Sequence, residues 1–294
     1  MTAEDSNNST PPAPDGTGAA RKVGRTVRKV LVAGAIAYGI VAGYMYLNQR
    51  NFVFVPTGEL ESPEAKGLEN VTVETVSMQD GTNVTVWTSE GRENTPIVLY
   101  FHGNSSNLST RHKRFAQVLG SGFGLYAPSY RGYPGSEGAP SEAAFIQDAL
   151  EHYDRASAAG RPVIVHGESL GTGVATAVAE QRPDAGLLVL EAPYTALVDI
   201  ASEQYPWLPV SVLMKDPMPT RERIQNFQSP VLPVHGSEDR VSPVSHGVRL
   251  FELAPEPKTL KIVDGVSHSG LWGNGLWDAV QDAYCTSKVE TLAC

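Results

Sequence analysis

The segment Val163-Ile164-Val165-His166-Gly167-Glu168-Ser169-Leu170-Gly171 constrains this chain more than any other. A β-branched apolar run passes directly into Gly-x-Ser-x-Gly. Then comes Gly171-Thr172-Gly173-Val174-Ala175-Thr176-Ala177-Val178-Ala179, a small-residue stretch suited to a helix packed closely on a sheet. The pattern predicts a buried strand over 162–166, a sharp turn carrying Ser169, and a helix over 170–182. A serine on such a strained strand-to-helix elbow holds its hydroxyl exposed above the sheet. Side chains at Gly167 and Gly171 would collide with the turn and the adjoining strands. The N-terminus of the helix adds free N–H groups and a positive end near any developing oxyanion. Gly-x-Ser-x-Gly by itself is equally an ordinary glycine-rich loop; here the flanking strand and helix patterns favour the elbow.

The chain has 294 residues, enough for one large α/β domain or two small ones with a sizeable core. Charge is unevenly placed. Residues 1–29 hold five Lys/Arg against three Asp/Glu, a net of +2, so the remainder carries −11 of the overall −9. An acidic body without a basic stripe argues against a nucleic-acid partner. The two cysteines, Cys285 and Cys294, exclude a disulfide framework or a Cys-rich zinc site. They could form one bridge in an oxidising compartment or stand as two unrelated surface thiols.

Residues 1–20 are rich in Ser, Asn, Pro, Gly and Ala, and with the basic run Arg21–Lys29 they read as a disordered tail, 1–29. From Val30 to Leu47 there is no charged residue and no Asn, Gln, Ser or Thr. At helical rise these residues span about 27 Å, enough for a bilayer core, so 30–48 is expected to be a transmembrane anchor. A signal peptide would need a small-x-small cleavage site, which Tyr44-Met45-Tyr46-Leu47-Asn48 lacks. A buried core helix is the other alternative. Tyr44 and Tyr46 fall where an interfacial aromatic belt would sit. Gly39-x-x-x-Gly43 is a weak signal for a helix-mediated dimer. Five basic residues precede the span and Arg50 alone follows closely. The positive-inside rule therefore puts the N-terminus in the cytoplasm and residues 49–294 on the periplasmic or exoplasmic side.

From Asn51 onward strand and helix patterns alternate. Strands are expected at Phe52–Val55, Val71–Ser77, Asn83–Thr88, Ile97–Phe101, Gly124–Ala127, Val163–His166, Leu187–Glu191, Val231–Val234 and Thr259–Val263. Helices are expected at 109–119, 141–158, 170–182, 243–253 and 270–285. Early hairpin-like strands followed by strand–helix repeats indicate an α/β fold with a mostly parallel sheet. Residues 194–226 break the alternation. This stretch includes the apolar run Tyr205-Pro206-Trp207-Leu208-Pro209-Val210-Ser211-Val212-Leu213-Met214, readable as a small lid-like insertion.

A serine hydroxyl needs a base within hydrogen-bond reach, and the base needs an orienting carboxylate. For a serine on such an elbow the partners follow in the chain order Ser, Asp/Glu, His. His268, in Val263-Asp264-Gly265-Val266-Ser267-His268-Ser269-Gly270, follows the last expected strand. Asp239, in His235-Gly236-Ser237-Glu238-Asp239-Arg240, follows the preceding one, at a strand's C-terminal edge where such sheets place active groups. His112, His152 and His246 fall on expected helices, and His102, His166 and His235 at strand ends, so only His268 comes after every strand and the acid. Glu238 and Asp264 are the carboxylates competing with Asp239. The oxyanion donors are expected to be the N–H of Leu170 and the main chain of Asn104, in Phe101-His102-Gly103-Asn104-Ser105-Ser106 after the third sheet strand.

These pieces together resemble the α/β-hydrolase superfamily, and within it the membrane-anchored bud-emergence-type branch close to serine-aminopeptidase-like hydrolases. The resemblance rests on Phe101-His102-Gly103-Asn104; Tyr130-Arg131-Gly132-Tyr133 through Gly138-Ala139-Pro140-Ser141-Glu142; Gly167-Glu168-Ser169-Leu170-Gly171; Glu191-Ala192-Pro193-Tyr194; and His235-Gly236-Ser237-Glu238-Asp239, with His268. It implies an α/β-hydrolase fold over 49–294 and hydrolysis through Ser169, Asp239 and His268 without a cofactor or metal. Pro134 departs from the pattern by extending the Tyr-Arg-Gly-Tyr loop.

The expected activity is that of a serine hydrolase acting on an ester, thioester or amide through an acyl-enzyme, with lipid or acyl esters foremost. Tyr194, Tyr205, Trp207, Leu208 and Leu213 are the residues expected to line an acyl pocket, though an apolar insertion is more often simply core. Two alternatives stand beside it: a serine peptidase, and a membrane-anchored module that keeps the fold only to bind a partner.

Overall fold

The computed structural model describes residues 16–287. They divide into two compact units, one reaching to Asn48 and one running from Gln49.

The first unit is helical. Helix α1 spans Gly16–Val53, and its last turn, from Gln49, belongs to the second unit. It is the one helix among the described residues long and apolar enough to cross a membrane, and none of its most apolar window is buried. The helix begins earlier than the sequence suggests: residues 16–29, expected as tail, are helical. Ala19, Ala20, Arg21 and Lys22 are good helix formers, and a nucleated helix extends at little cost per residue. Residues 1–15 of the expected tail, and Cys294 of the possible disulfide, lie outside the described residues.

The second unit is built on an eight-stranded sheet: β1 Thr72–Ser77, β2 Asn83–Ser89, β3 Ile97–Phe101, β4 Gly124–Pro128, β5 Val163–Glu168, β6 Leu187–Glu191, β7 Val231–Gly236 and β8 Lys261–Val263. Their spatial order is β1-β2-β4-β3-β5-β6-β7-β8; β1 and β2 are antiparallel, and every pair from β4 onward is parallel. Every residue of β3, β4 and β6 is buried, as expected of strands covered on both faces. Their side chains divide with a period of two. Ile97, Leu99 and Phe101 join Val163, Val165, Leu188 and Leu190 in one core. Val98 and Tyr100 join Ile164, Leu187, Val189, Leu232 and Val234 in the other.

Helices α2 His112–Gly120, α3 Glu142–Ser157, α4 Leu170–Gln181, α8 Val244–Leu253 and α9 Leu276–Ser287 flank the sheet. Ser141 caps α3 by accepting the Ala144 N–H at 3.2 Å. Between β6 and β7 lie three short helices, α5 Leu197–Gln204, α6 Val210–Leu213 and α7 Thr220–Arg223, which form the irregular insertion expected at 194–226.

Two expected elements change. Phe52–Val55 is not a strand, because α1 runs through Val53; only Val55–Pro56 pairs, in parallel, with Ser105–Ser106. The helix expected at 270–285 is broken: a 3₁₀ turn over Leu271–Asn274 ends at Gly275, whose φ of 82° suits glycine, before α9 starts.

Candidate active site

The site is assembled at the C-terminal ends of the parallel strands. In the register of the sheet, Gly167 lies opposite Phe101, and Glu168 opposite Glu191. Ser169 follows immediately at φ +48° and ψ −114°, a conformation rarely adopted by a residue with a side chain. The strain is held by its surroundings. The Ser169 N–H donates to the Glu191 carbonyl at 2.8 Å, and its own carbonyl accepts from the Thr172 hydroxyl at 2.7 Å. Both glycines are required by close approach. A Cβ on Gly167 would lie 2.4 Å from the Gly171 carbonyl oxygen, and one on Gly171 only 2.1 Å from that of Phe101.

The Ser169 hydroxyl stands 3.0 Å from His268 Nε2, and His268 Nδ1 stands 2.7 Å from Asp239 Oδ2. Burial pushes the Asp239 carboxyl up, but hydrogen bonds from His235, His268 and the Ser242 N–H outweigh it and hold the group well below the usual carboxylate range. An ionised carboxylate only accepts, so His268 Nδ1 carries the proton and Nε2 presents its lone pair to the serine. The Val241 and Ser242 N–H groups donate to Asp239 Oδ1 at 2.8 and 3.0 Å. The buried His235 Nε2 lies 2.7 Å from the Ser242 carbonyl and 3.2 Å from Asp239 Oδ2. The competing Asp264 is turned away, accepting from the Ser237 hydroxyl.

The two expected oxyanion donors are differently held. Leu170 is the first residue of α4, so its N–H has no acceptor within the helix. Asn104 is fixed from three sides: its carbonyl accepts the Val55 N–H at 2.9 Å and the Tyr133 hydroxyl at 2.6 Å, and its side-chain amide donates to the Val53 carbonyl at 3.2 Å. None of these bonds uses the Asn104 main-chain N–H.

Beneath the elbow lies a charged network that the sequence did not reveal. The Glu168 carboxylate accepts from Tyr100, from the Gly103 N–H, and from Arg111 through two nitrogens, with Arg114 at 2.9 Å. Burial raises the Glu168 carboxyl, yet Arg114 and Arg111 overcome it and hold the group ionised. Glu191, opposite Glu168 in the sheet, binds Arg114, His166 and the Trp272 indole N–H. Arg111 and Arg114 have the spacing of ordinary surface charges on a helix, so no sequence signal separates them from solvated residues. Neighbouring His102 is buried, and desolvation with the nearby Arg111 lowers its pKa to about 3, which leaves it neutral and unsuited as a base.

The residues expected to line an acyl pocket are scattered. Tyr194 is buried and its hydroxyl donates to the Leu170 carbonyl at 3.0 Å, so it braces the elbow rather than offering a free wall. Its place directly after β6, against the start of α4, accounts for that. Leu208 and Leu213 are partly buried. Tyr205 and Trp207 sit edge to face, ring centres 6.5 Å apart, on the exposed side of the insertion. Among the described residues no group of three or more His, Cys, Asp or Glu side chains is placed to hold a metal ion.

Comparison with known proteins adds four findings. The Hydrolase_4 family, described as serine aminopeptidase S33, matches residues 92–215. An uncharacterised protein of Mycobacterium tuberculosis is 33% identical over 272 residues, covering 87% of this chain and 94% of its own length. The lysophosphatidylserine lipase ABHD12 of Rattus norvegicus is 29% identical over 270 residues, covering 76% of this chain but 66% of its own length. Among solved structures, the Pyrococcus furiosus esterase Pf2001 superposes with a TM-score of 0.63 at 15% identity, over 79% of this chain and 97% of that one. At that identity the likeness concerns the fold.

Proposed function

Because the chain belongs to the α/β-hydrolase superfamily and is a hydrolase by that membership, we propose that it is a membrane-anchored serine hydrolase that cleaves carboxylic esters of single-chain acyl lipids. The observation that carries this reading is the unbroken hydrogen-bonded path from Ser169 through His268 to Asp239 on a strained elbow.

His268 Nε2 takes the hydroxyl proton as Ser169 Oγ attacks the acyl carbonyl. Asp239 stabilises the imidazolium without accepting its proton. The N–H groups of Leu170 and Asn104 receive the tetrahedral oxyanion. His268 then returns the proton to the leaving alcohol, and water activated by the same imidazole releases the fatty acid. All three residues act as a unit, so removal of one should cost orders of magnitude in kcat.

The substrate class draws on two supports. Relatives 28–29% identical are named lysophosphatidylserine lipases, which supports a single-chain acyl lipid as substrate. The apolar helix α1 would hold the site at the surface where such lipids reside. The excess of basic residues before the span favours a cytoplasmic N-terminus, with the catalytic unit across the membrane. A peptidase reading takes support from the description of the matching family, so the test includes amides.

The full chain in mild detergent would be assayed on lysophospholipids, acyl p-nitrophenyl esters, acyl thioesters and aminoacyl amides, beside Ser169→Ala. Ester cleavage that falls by about 10³-fold or more in the variant is expected. Equal cleavage by both proteins would overturn the assignment, and cleavage of amides alone would move it to a peptidase.

A further inference from the structure

The paired register between β3 and β5 ends at Phe101 and Gly167. Beyond it lie two separate pieces of chain, the loop 102–107 and the elbow. The two proposed oxyanion donors sit one on each, the Asn104 and Leu170 N–H groups. Their spacing must be fixed closely, because a misplacement of about 1 Å can cost on the order of 10²-fold in rate. The end of the ladder does not supply that precision.

Local preference does not fix the loop either. Ser106 is held at φ +68°, a conformation that a residue with a side chain seldom adopts, so the loop's shape is imposed from outside. The bonds that impose it converge on two side chains. Glu168, directly before the nucleophile, accepts the Gly103 N–H through Oε2 at 3.1 Å, on one side of Asn104. Arg111 donates through Nη1 to the Ser105 carbonyl at 2.8 Å, on the other side, and to the Asn107 carbonyl at 3.2 Å. The two side chains are joined to each other, Nε to Oε2 at 3.0 Å and Nη2 to Oε1 at 3.2 Å. Gly103 lies against the pair: a Cβ there would stand 3.3 Å from both Arg111 Nη2 and Glu168 Oε1.

On the serine-hydrolase reading above, we infer that Glu168 and Arg111 are positioning residues for the oxyanion site, forming one bridge from the residue before Ser169 to the residues on either side of Asn104. A buried ion pair returns little stability compared with apolar side chains of the same volume, so stability alone does not explain its presence here. The shape of the guanidinium does. Two of its nitrogens meet the carboxylate while the third reaches the Ser105 carbonyl, which a lysine ammonium, a single point of charge, does not reproduce. Arg114 reaches the same carboxylate, and its other partners are Tyr100 on β3 and Glu191 on β6, so it steadies the pair from the sheet side.

The test compares the full chain in mild detergent with Arg111→Lys and Glu168→Gln on a p-nitrophenyl acyl ester. Turnover is expressed per site titrated to completion with a fluorophosphonate, so misfolded protein does not count. In each variant kcat is expected to fall about 10- to 100-fold, with KM within about 2-fold of the wild type. A second readout separates position from general damage. Ser169 Oγ adds to the carbonyl carbon of a decyl trifluoromethyl ketone, the serine proton passes to His268, and the hemiketal oxygen becomes the anion that the two N–H groups hold. The matching trifluoromethyl carbinol has the same chain and forms no adduct. Affinity for the ketone should fall by the same factor as kcat/KM, and affinity for the carbinol should not change. Equal weakening of ketone and carbinol would overturn the inference, because the whole acyl-binding surface would then be disturbed. An unchanged kcat in Arg111→Lys would overturn it too, and if one variant fails to fold the other carries the same comparison. Absence of a ketone adduct on the wild type would remove the serine-hydrolase reading together with this inference; an adduct that neither variant weakens would remove this inference alone.

Discussion

Glu168→Gln removes one negative charge from a buried place where two guanidinium groups converge. The Glu168 side chain is 13% exposed, that of Arg111 7% and that of Arg114 16%. Arg114 keeps Glu191 as a partner, but Arg111 is left with neutral acceptors, the carbonyls of Ser105 and Asn107 and the Thr110 hydroxyl. Breaking a buried ion pair from one side costs about 3–5 kcal/mol. The glutamine oxygen can still accept from Gly103 or Arg111, so the lower end, about 3 kcal/mol, is expected. Equilibrium urea unfolding of the full chain in mild detergent, followed by tryptophan emission, would read it. Trp272 reports locally, with the Arg114 guanidinium 5.8 Å from its ring. The Glu168 carboxyl sits below its ordinary value of 4.5 in the folded state, so its contribution is complete above that pH and is lost as acid protonates it. The difference between wild type and variant should therefore shrink on acidification. A cost at neutral pH below about 1 kcal/mol, the range of surface pairs, would refute the buried-network argument.

Three further outcomes follow from the same geometry. Asn104→Ala loses the bond to the Val53 carbonyl but keeps the main-chain N–H; kcat should fall about 5- to 10-fold, the equivalent of one hydrogen bond, with KM little changed, and an unaltered kcat would show that the side-chain bond is not what positions that N–H. Burial, aided by Arg111 for His102 and by Arg155 for His152, depresses both histidines from 6.5 to about 3. Each binds a proton on unfolding at intermediate pH, so stability should fall by up to about 1.4 kcal/mol per pH unit per histidine below pH 6.5, and a flat profile of urea midpoints down to pH 4 would contradict this. Gly171→Ala sets a Cβ against the Phe101 carbonyl, a backbone contact that cannot yield, and should destabilise by about 1–3 kcal/mol or more in thermal unfolding; a neutral change would mean the elbow is looser than its contacts imply.

Where a local pattern carries the information, the sequence was a good guide. The parallel strands were readable because continuous β-branched runs are what a sheet covered on both faces needs, and the ends of β5, β6 and β7 matched within two residues. Ser169, Asp239 and His268 were readable because each follows a strand in a fixed order, and the structure brings the three side chains together. What depended on distant partners was hidden. Arg111 and Arg114 resemble solvated helix charges until β3 and β5 bring Tyr100 and Glu168 beneath them. Tyr194 looked like a pocket wall because nothing local shows that its hydroxyl meets the Leu170 carbonyl. Propensity alone could not predict that α1 would absorb residues 16–29 and Phe52–Val53, since a long helix overrides weak preferences at its ends.

The central claim is that Ser169 is a nucleophile activated by His268. Reaction of the full chain with a fluorophosphonate, followed by mass spectrometry of the digested adduct, tests it most directly. The account predicts one phosphonyl group on Ser169, abolished in Ser169→Ala and slowed by orders of magnitude in His268→Ala. A folded protein that stays unmodified, or carries the label on another residue, would contradict it.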